Sequence, residues 1–208
     1  MTYIHRTLEQ KIVDISKDYS CLLLIGPRQV GKTTMLEHLM EGSMRRKVTL
    51  DDVENRRLAQ SDPALFLEMH PAPVLIDEVQ YAPQLFSYIK INVDNGAAPG
   101  SYWLTGSQAF QLMELTQESL AGRTAIVHMS ALSQSELYGD GTTEPLSINL
   151  EKLNRRKEHL SSCNSMEMFE RIWNGGMPGH RSGRYTDRDV FYSSYIQTYI
   201  NRDRKSVV

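Results

Sequence analysis

The chain has 208 residues, 40% of them hydrophobic, a formal net charge of −2 and two cysteines. Length and apolar share suit one full-sized core with a small appended unit, and the near-neutral charge gives no global electrostatic reason to expect a nucleic-acid partner. No apolar run reaches the ~18 residues of a membrane span and the N-terminus lacks a signal-peptide pattern, so a cytoplasmic setting without membrane contact is expected; Cys21 and Cys163 lack the CxxC or Cys/His spacing of a disulfide framework or zinc site.

Cys21-Leu22-Leu23-Leu24-Ile25 is a continuous apolar run, the pattern of a strand buried on both faces of a parallel sheet. It feeds into Gly26-Pro27-Arg28-Gln29-Val30-Gly31-Lys32-Thr33. A helix is predicted from Thr33 to Met40, with Met35, Leu36, Leu39 and Met40 at helical spacing and Gly42 as its stop. Val48 to Asp52 reads as a second strand, Asp51-Asp52-Val53-Glu54 as a capping-box helix start, and Asp62-Pro63 as the start of a short helix through Met69. Val74-Leu75-Ile76 is the third strand. A helix runs from Pro83 to Asn95-Gly96, Tyr102 to Thr105 and Thr124 to Met129 are the fourth and fifth strands, and Ser133 with Glu136 forms another capping box. Strands alternating with helices predict an α/β core over residues 1–138, with helices flanking a mainly parallel five-stranded sheet.

Residues 139–148 read as a linker and 149–208 as a small, mildly basic helical segment. It carries charged helical stretches to Leu160, a helix from about Met166 to Gly175-Gly176, and a last helix capped within Thr186–Asp189. That helix aligns Tyr192, Tyr195, Ile196, Tyr199 and Ile200 on one stripe, which packing explains better than base stacking. The runs Arg155-Arg156-Lys157 and Arg202-Asp203-Arg204-Lys205 read as solvated helix faces.

Gly26-x-x-x-x-Gly31-Lys32-Thr33 satisfies every fixed position of the P-loop pattern. Glycines permit the sharp backbone path and close approach to phosphate oxygens. The N–H groups of residues 26–34 (Gly26, Arg28, Gln29, Val30, Gly31, Lys32, Thr33 and Thr34, with Pro27 stiffening the entry) can form an anion nest at a helix start. Lys32 supplies a charge for the β and γ phosphates, and Thr33 a hydroxyl ligand for Mg²⁺. The apolar strand ending at Asp77 supplies the carboxylate that such a site needs to complete the Mg²⁺ shell. Glu78 beside it can orient or deprotonate the water that attacks the γ phosphate. Ser107 or Thr105, closing the fourth strand, can sense the γ phosphate; Ser107 can equally cap the next helix.

These residues are similar to a large family of prokaryotic AAA-superfamily ATPases. The resemblance rests on Gly-Pro-Arg-Gln-Val-Gly-Lys-Thr-Thr at 26–34, Leu-Asp-Asp at 50–52, Ile-Asp-Glu-Val-Gln at 76–80, Leu-Thr-Gly-Ser-Gln at 104–108 and Ser-Leu-Ala-Gly-Arg at 119–123. Further matches are Arg6 in a leading helix, Gly175-Gly176-Met177-Pro178, and Tyr195 to Asp203. The resemblance implies a P-loop fold of the additional-strand, catalytic-glutamate type, ATP and Mg²⁺ as cofactors, and Arg123 as an arginine that stabilises γ-phosphate charge in cis or from a neighbour; on the residues alone, an arginine beside a strand is more often structural. It also implies a longer chain, with a C-terminal domain after Asp203. The sequence therefore reads as C-terminally truncated, with the face of Tyr192, Tyr195, Ile196 and Tyr199 expected to be exposed. The expected function is a Mg²⁺-dependent ATPase acting as a conformational switch, coupled to DNA or a protein partner through the C-terminal region. The alternatives are a small-molecule kinase, with Arg45-Arg46 or Arg56-Arg57 on a lid, and an ATP-bound interaction module or inert fragment without turnover.

Overall fold

The computed structural model describes residues 3–108, 112–114, 116, 120–138, 148–159 and 163–203. Of the expected linker, residues 139–147 lie outside that set, as do Ser119 and residues 204–208. The described residues divide into two compact units, one of His5–Ser130 and one running from Ala131 onward together with Tyr3 and Ile4. No described helix is long and apolar enough to cross a membrane.

In the first unit, α1 (Glu9–Asp18) precedes β1 (Cys21–Ile25), and α2 (Lys32–Met40) follows the glycine loop. Then come β2 (Arg46–Thr49), α3 (Val53–Ser61), α4 (Pro63–Met69), β3 (Val74–Asp77), a 3₁₀ turn (Val79–Tyr81), α5 (Leu85–Asp94), β4 (Tyr102–Gly106) and β5 (Thr124–His128). All five strands are parallel, in the order β2-β3-β4-β1-β5. β4 lies between the loop-bearing β1 and the Asp77-bearing β3, which is the additional-strand arrangement expected.

Every residue of β1, β3 and β4 is buried, and the unalternating Val/Leu/Ile runs of β1 and β3 suit a sheet covered by helices on both faces. Leu23, Ile25, Ile76 and Leu104 are fully buried, each contributing about 1.5–3 kcal/mol of transfer free energy that keeps the strand ends in register. Ile25 pairs with Gly106 and His128, while Ile76 pairs with Leu104. Gly26, Asp77 and Gly106 therefore emerge along one carboxyl edge.

β2 starts and stops earlier than the sequence pattern suggests. It spans Arg46–Thr49 because Asp52 leaves the strand path to cap α3, its carboxylate accepting the Asn55 N–H at 2.9 Å. Asp62 caps α4 on the Leu65 N–H at 3.0 Å, with Pro63 in the first turn, as expected.

Cys21 is fully buried, and desolvation pushes its thiol up to about 12, so about one part in ten thousand is thiolate at pH 8. Cys163 is only partly buried. A thiol-exchange reagent should therefore titrate one thiol per native chain and two after denaturation; two fast thiols in the native protein would contradict this packing.

The second unit is helical, with helices at Gln134–Tyr138, Leu150–His159, Ser165–Asn174, Pro178–Arg181 and Arg188–Asp203. Ser133 and Glu136 form the expected reciprocal capping box, at 2.7 and 3.2 Å. A second box, with Asn164 as N-cap and Glu167, starts the next helix at Ser165, one residue before the predicted Met166. Arginines here cover aromatic rings: Arg171 lies 3.9 Å from the Tyr138 ring centroid and Arg188 4.0 Å from that of Trp173. Of the aromatic stripe, Ile196 is 52% exposed, while Tyr192, Tyr195 and Tyr199 are half-buried. They are sheltered by one another and by the preceding turn. Phe191, Tyr195 and Tyr199 stack in succession, and the Tyr192 hydroxyl donates to the Asn174 carbonyl at 3.0 Å. The side chain of Ile200 lies outside the described ones.

Candidate functional site: the glycine loop and the carboxyl edge of the sheet

The loop after β1 takes a path that side chains resist. Gly26, Gln29 and Gly31 have φ of 156°, 60° and 92°. A Cβ on Gly26 would meet the Met129 carbonyl oxygen at 2.1 Å, and that oxygen belongs to backbone which cannot swing aside. Gly26→Ala should cost about 2–3 kcal/mol through strain and overlap. The resulting fall in melting temperature should be roughly 5–10 °C; an unchanged melt would show that the loop does not take this path.

Gly31 is the N-cap of α2 with no side-chain cap, and α2 has no acidic residue in its first turn, so its N-terminal N–H groups and positive dipole end are left for an anion. Lys32 is 5% exposed and donates to the Gly26 and Pro27 carbonyls at 2.8 and 2.9 Å. Burial draws its ammonium below the ordinary lysine range, against the opposing pull of Glu78 and Asp77.

Arg6 buttresses the loop from behind. It lies just before α1 rather than in a helix and is buried, its guanidinium donating to the Val30 and Ser130 carbonyls at 2.8 Å each. The loop is thereby tied to the chain leaving β5.

Thr33 donates to the Asp77 carboxylate at 2.7 Å, and Thr105, fully buried, donates to the same oxygen. Glu78 has left-handed backbone, φ 57° and ψ 46°, a conformation that costs a non-glycine residue about 1–3 kcal/mol and concentrates at functional positions. Its N–H donates to the Thr105 hydroxyl at 3.3 Å. Its carboxylate accepts from Ser107 at 3.2 Å and from the Gln80 amide, and Arg28 donates to the Ser107 hydroxyl at 3.2 Å. Loop, β3 turn and β4 end thus meet in one polar network.

Within that network Ser107 has hydroxyl contacts to Glu78, Gln80 and Arg28; residues 109–111, which bear on the helix-capping alternative, lie outside the described set. Gln80 was not singled out by sequence reasoning, although its spacing of two from Glu78 across a tight turn was the available signal. It is 5% exposed, and its Oε1 has no partner among the described residues.

Arg123 is not brought to this edge. Thr124, its neighbour, pairs with Cys21 at the amino end of β1, and Arg123 forms an ion pair with Asp94. Four strand residues at about 3.3 Å each separate that level from Ile25, so contact in cis with a phosphate in this loop is ruled out by register. Of the arginines considered for a kinase lid, Arg45 and Arg56 are engaged within the core unit, while Arg46 and Arg57 are exposed. Arg45 donates to the Val74 and Gly100 carbonyls and covers the Trp103 ring; Arg56 donates to the Leu50 and Asp51 carbonyls and covers Tyr81.

A model of the AAA domain family matches residues 18–138. The chain belongs to that family. It is 30% identical over 187 residues to two curated relatives, the uncharacterized proteins Rv2008c of Mycobacterium tuberculosis and Mb2031c of Mycobacterium bovis, matched over 88% of this chain and 35% of theirs. The chain thus spans about a third of the length of those relatives. Among solved structures, the Walker-type ATPase PABY2304 of Pyrococcus abyssi is similar with a TM-score of 0.63 at 16% identity, over 98% of this chain and 76% of that one. AMPPCP-bound DnaA from Aquifex aeolicus is similar with a TM-score of 0.50 at 12% identity, over 94% and 63% of the two chains. Family and fold together make this AAA chain an ATP-binding P-loop protein.

The residues present fit a magnesium nucleotide. The oxygen donors of Thr33 and Asp77 are the hard ligands Mg²⁺ takes, and the uncapped start of α2 with its lysine suits polyphosphate.

Proposed function

We propose that this AAA domain hydrolyses ATP to ADP and phosphate with Mg²⁺, and that the difference between the two nucleotide states acts as a conformational switch. The observation that carries the reading is Glu78: one residue beyond Asp77, it sits in a left-handed turn and is held by Ser107 and Gln80. A carboxylate fixed there can orient a water and accept its proton; a kinase would use such a base on a substrate hydroxyl, and an acceptor screen separates the two.

In this reading the N–H groups of residues 26–34 cradle the phosphates. Lys32 leaves the Gly26 and Pro27 carbonyls for phosphate oxygens. Thr33 and Asp77 hold Mg²⁺, which when bound neutralises charge developing on those oxygens. Glu78 orients the attacking water and accepts its proton at the carboxylate. Ser107, between Arg28 of the loop and Glu78, registers whether the γ phosphate is present. Arg123, remote from its own loop and paired with Asp94, keeps two roles in this reading, a structural one and that of a group offered to a neighbouring copy.

Phosphate release from Mg·ATP tests the reading, measured with and without duplex DNA and with an acceptor screen. Turnover by water supports the hydrolase, ADP formed only with an acceptor supports a kinase, and tight binding without turnover supports an interaction module. Stimulation by DNA would assign the partner of the basic segment 151–208.

A further inference from the structure

We propose that His5, Glu9 and His38 form a binding site for a divalent transition metal of the zinc type. His5 precedes α1, Glu9 lies in its first turn, and His38 lies in the last turn of α2, the helix that begins at Lys32. One ligand atom from each falls within 4.8 Å of the others. A His–Glu pair four residues apart is ordinary on a helix surface. What sets this cluster apart is the third ligand, delivered from a different helix.

The geometry suits a small tetrahedral ion. His5 Nδ1 lies 3.2 Å from Glu9 Oε2, against the roughly 3.3–3.5 Å between ligand atoms that zinc–nitrogen and zinc–oxygen bonds of about 2.0–2.2 Å imply. The His5 and His38 rings stand edge to face with centroids 5.4 Å apart, so a small closing movement brings both to one ion. The supporting contacts are in place too. Glu9 Oε1 accepts the Arg6 N–H at 2.6 Å, which leaves Oε2 turned to His5. Glu41 Oε1 lies 3.5 Å from His38 Nδ1, a carboxylate placed to orient the ring.

Two imidazoles and one carboxylate select zinc-type ions over Mg²⁺ and Ca²⁺, which require oxygen cages. The Glu9 and His38 side chains are 18% and 32% exposed and that of His5 76%, giving the ion an entry path and room for a water as fourth ligand. An ion there ties the start of α1 to the end of α2. Because Arg6 follows His5 directly, the same tether holds its guanidinium against Val30 of the phosphate loop.

The test is calorimetric titration of Zn²⁺ into chelator-treated, tag-free, nucleotide-free protein, with excess Mg²⁺ present to occupy Thr33 and Asp77. One ion per chain should bind, with a rise in melting temperature. His5→Ala, Glu9→Gln and His38→Gln should each weaken binding at least tenfold, since even an outer-shell partner typically contributes about 10–100-fold. Glu9→Gln keeps an oxygen for the Arg6 N–H, and His5→Ala alters an exposed side chain, so both variants retain the fold. No single-site binding by the parent protein, or undiminished binding by His5→Ala and His38→Gln, would overturn the proposal.

Discussion

Glu78→Gln should leave Mg·ATP binding within about twofold of the parent while phosphate release falls by about 10²–10⁴, the span a positioned general base contributes. Glutamine keeps the size of the side chain and an oxygen that can still accept from Ser107 and Gln80, so the left-handed turn at Glu78 and the network around it persist. What goes is the charge and the basicity. Nucleotide affinity by titration and phosphate release under saturating ATP, measured on one preparation, separate the two quantities. Turnover equal to the parent's would remove Glu78 from the chemistry and, with it, the reason to read this site as a hydrolase.

Lys32→Ala acts on the earlier step. Lys32 is the buried cation at the mouth of α2, and charge-assisted hydrogen bonds of this kind contribute about 1.5–3 kcal/mol each. Affinity for ATP should fall about 10- to 100-fold, with turnover at fixed ATP falling further because Lys32 also faces the charge that develops on the γ phosphate. Its bonds to the Gly26 and Pro27 carbonyls are lost as well, so a thermal melt must accompany the titration. A well-folded variant with parental ATP affinity would refute the phosphate-loop assignment.

Together the two substitutions separate binding from chemistry. Lys32 belongs to a rigid turn built by three residues of positive φ, and Glu78 to a turn on another strand. Ser107 and Arg28 join them. Under the proposed switch, a γ phosphate in the loop competes for Arg28 and so alters the hold on Glu78, which gives nucleotide state a route to shape.

Much of this was legible in the sequence because the responsible forces are local. The five residues of β1 declare burial on both faces through an unbroken apolar run, and Gly26, Gly31, Lys32 and Thr33 declare the loop because backbone path, charge and helix start act within eight residues. Asp77-Glu78 was readable for the same reason, following directly on Val74-Leu75-Ile76. The end of β2 was misjudged because Thr49, Leu50 and Asp52 have comparable claims to strand and cap, and pairing with β3 settles the matter at Thr49.

Other features depended on strand order, which spacing along a chain does not encode. Insertion of β4 between β1 and β3 carries Thr105 to Asp77 and Ser107 to Glu78, across sequence gaps of 28 and 29 residues. Register places Arg123 level with the opposite end of β1, against the family resemblance that suggested a catalytic arginine. Arg6 reaches Ser130 across 124 residues to brace the loop, a contact no local pattern announces. The sequence by itself thus determined the chemical groups of the candidate phosphate site, since each is specified by its immediate neighbours. Only the tertiary structure decided which distant side chains restrain them, because parallel pairing and helix packing bring together residues whose separation in sequence carries no distance information.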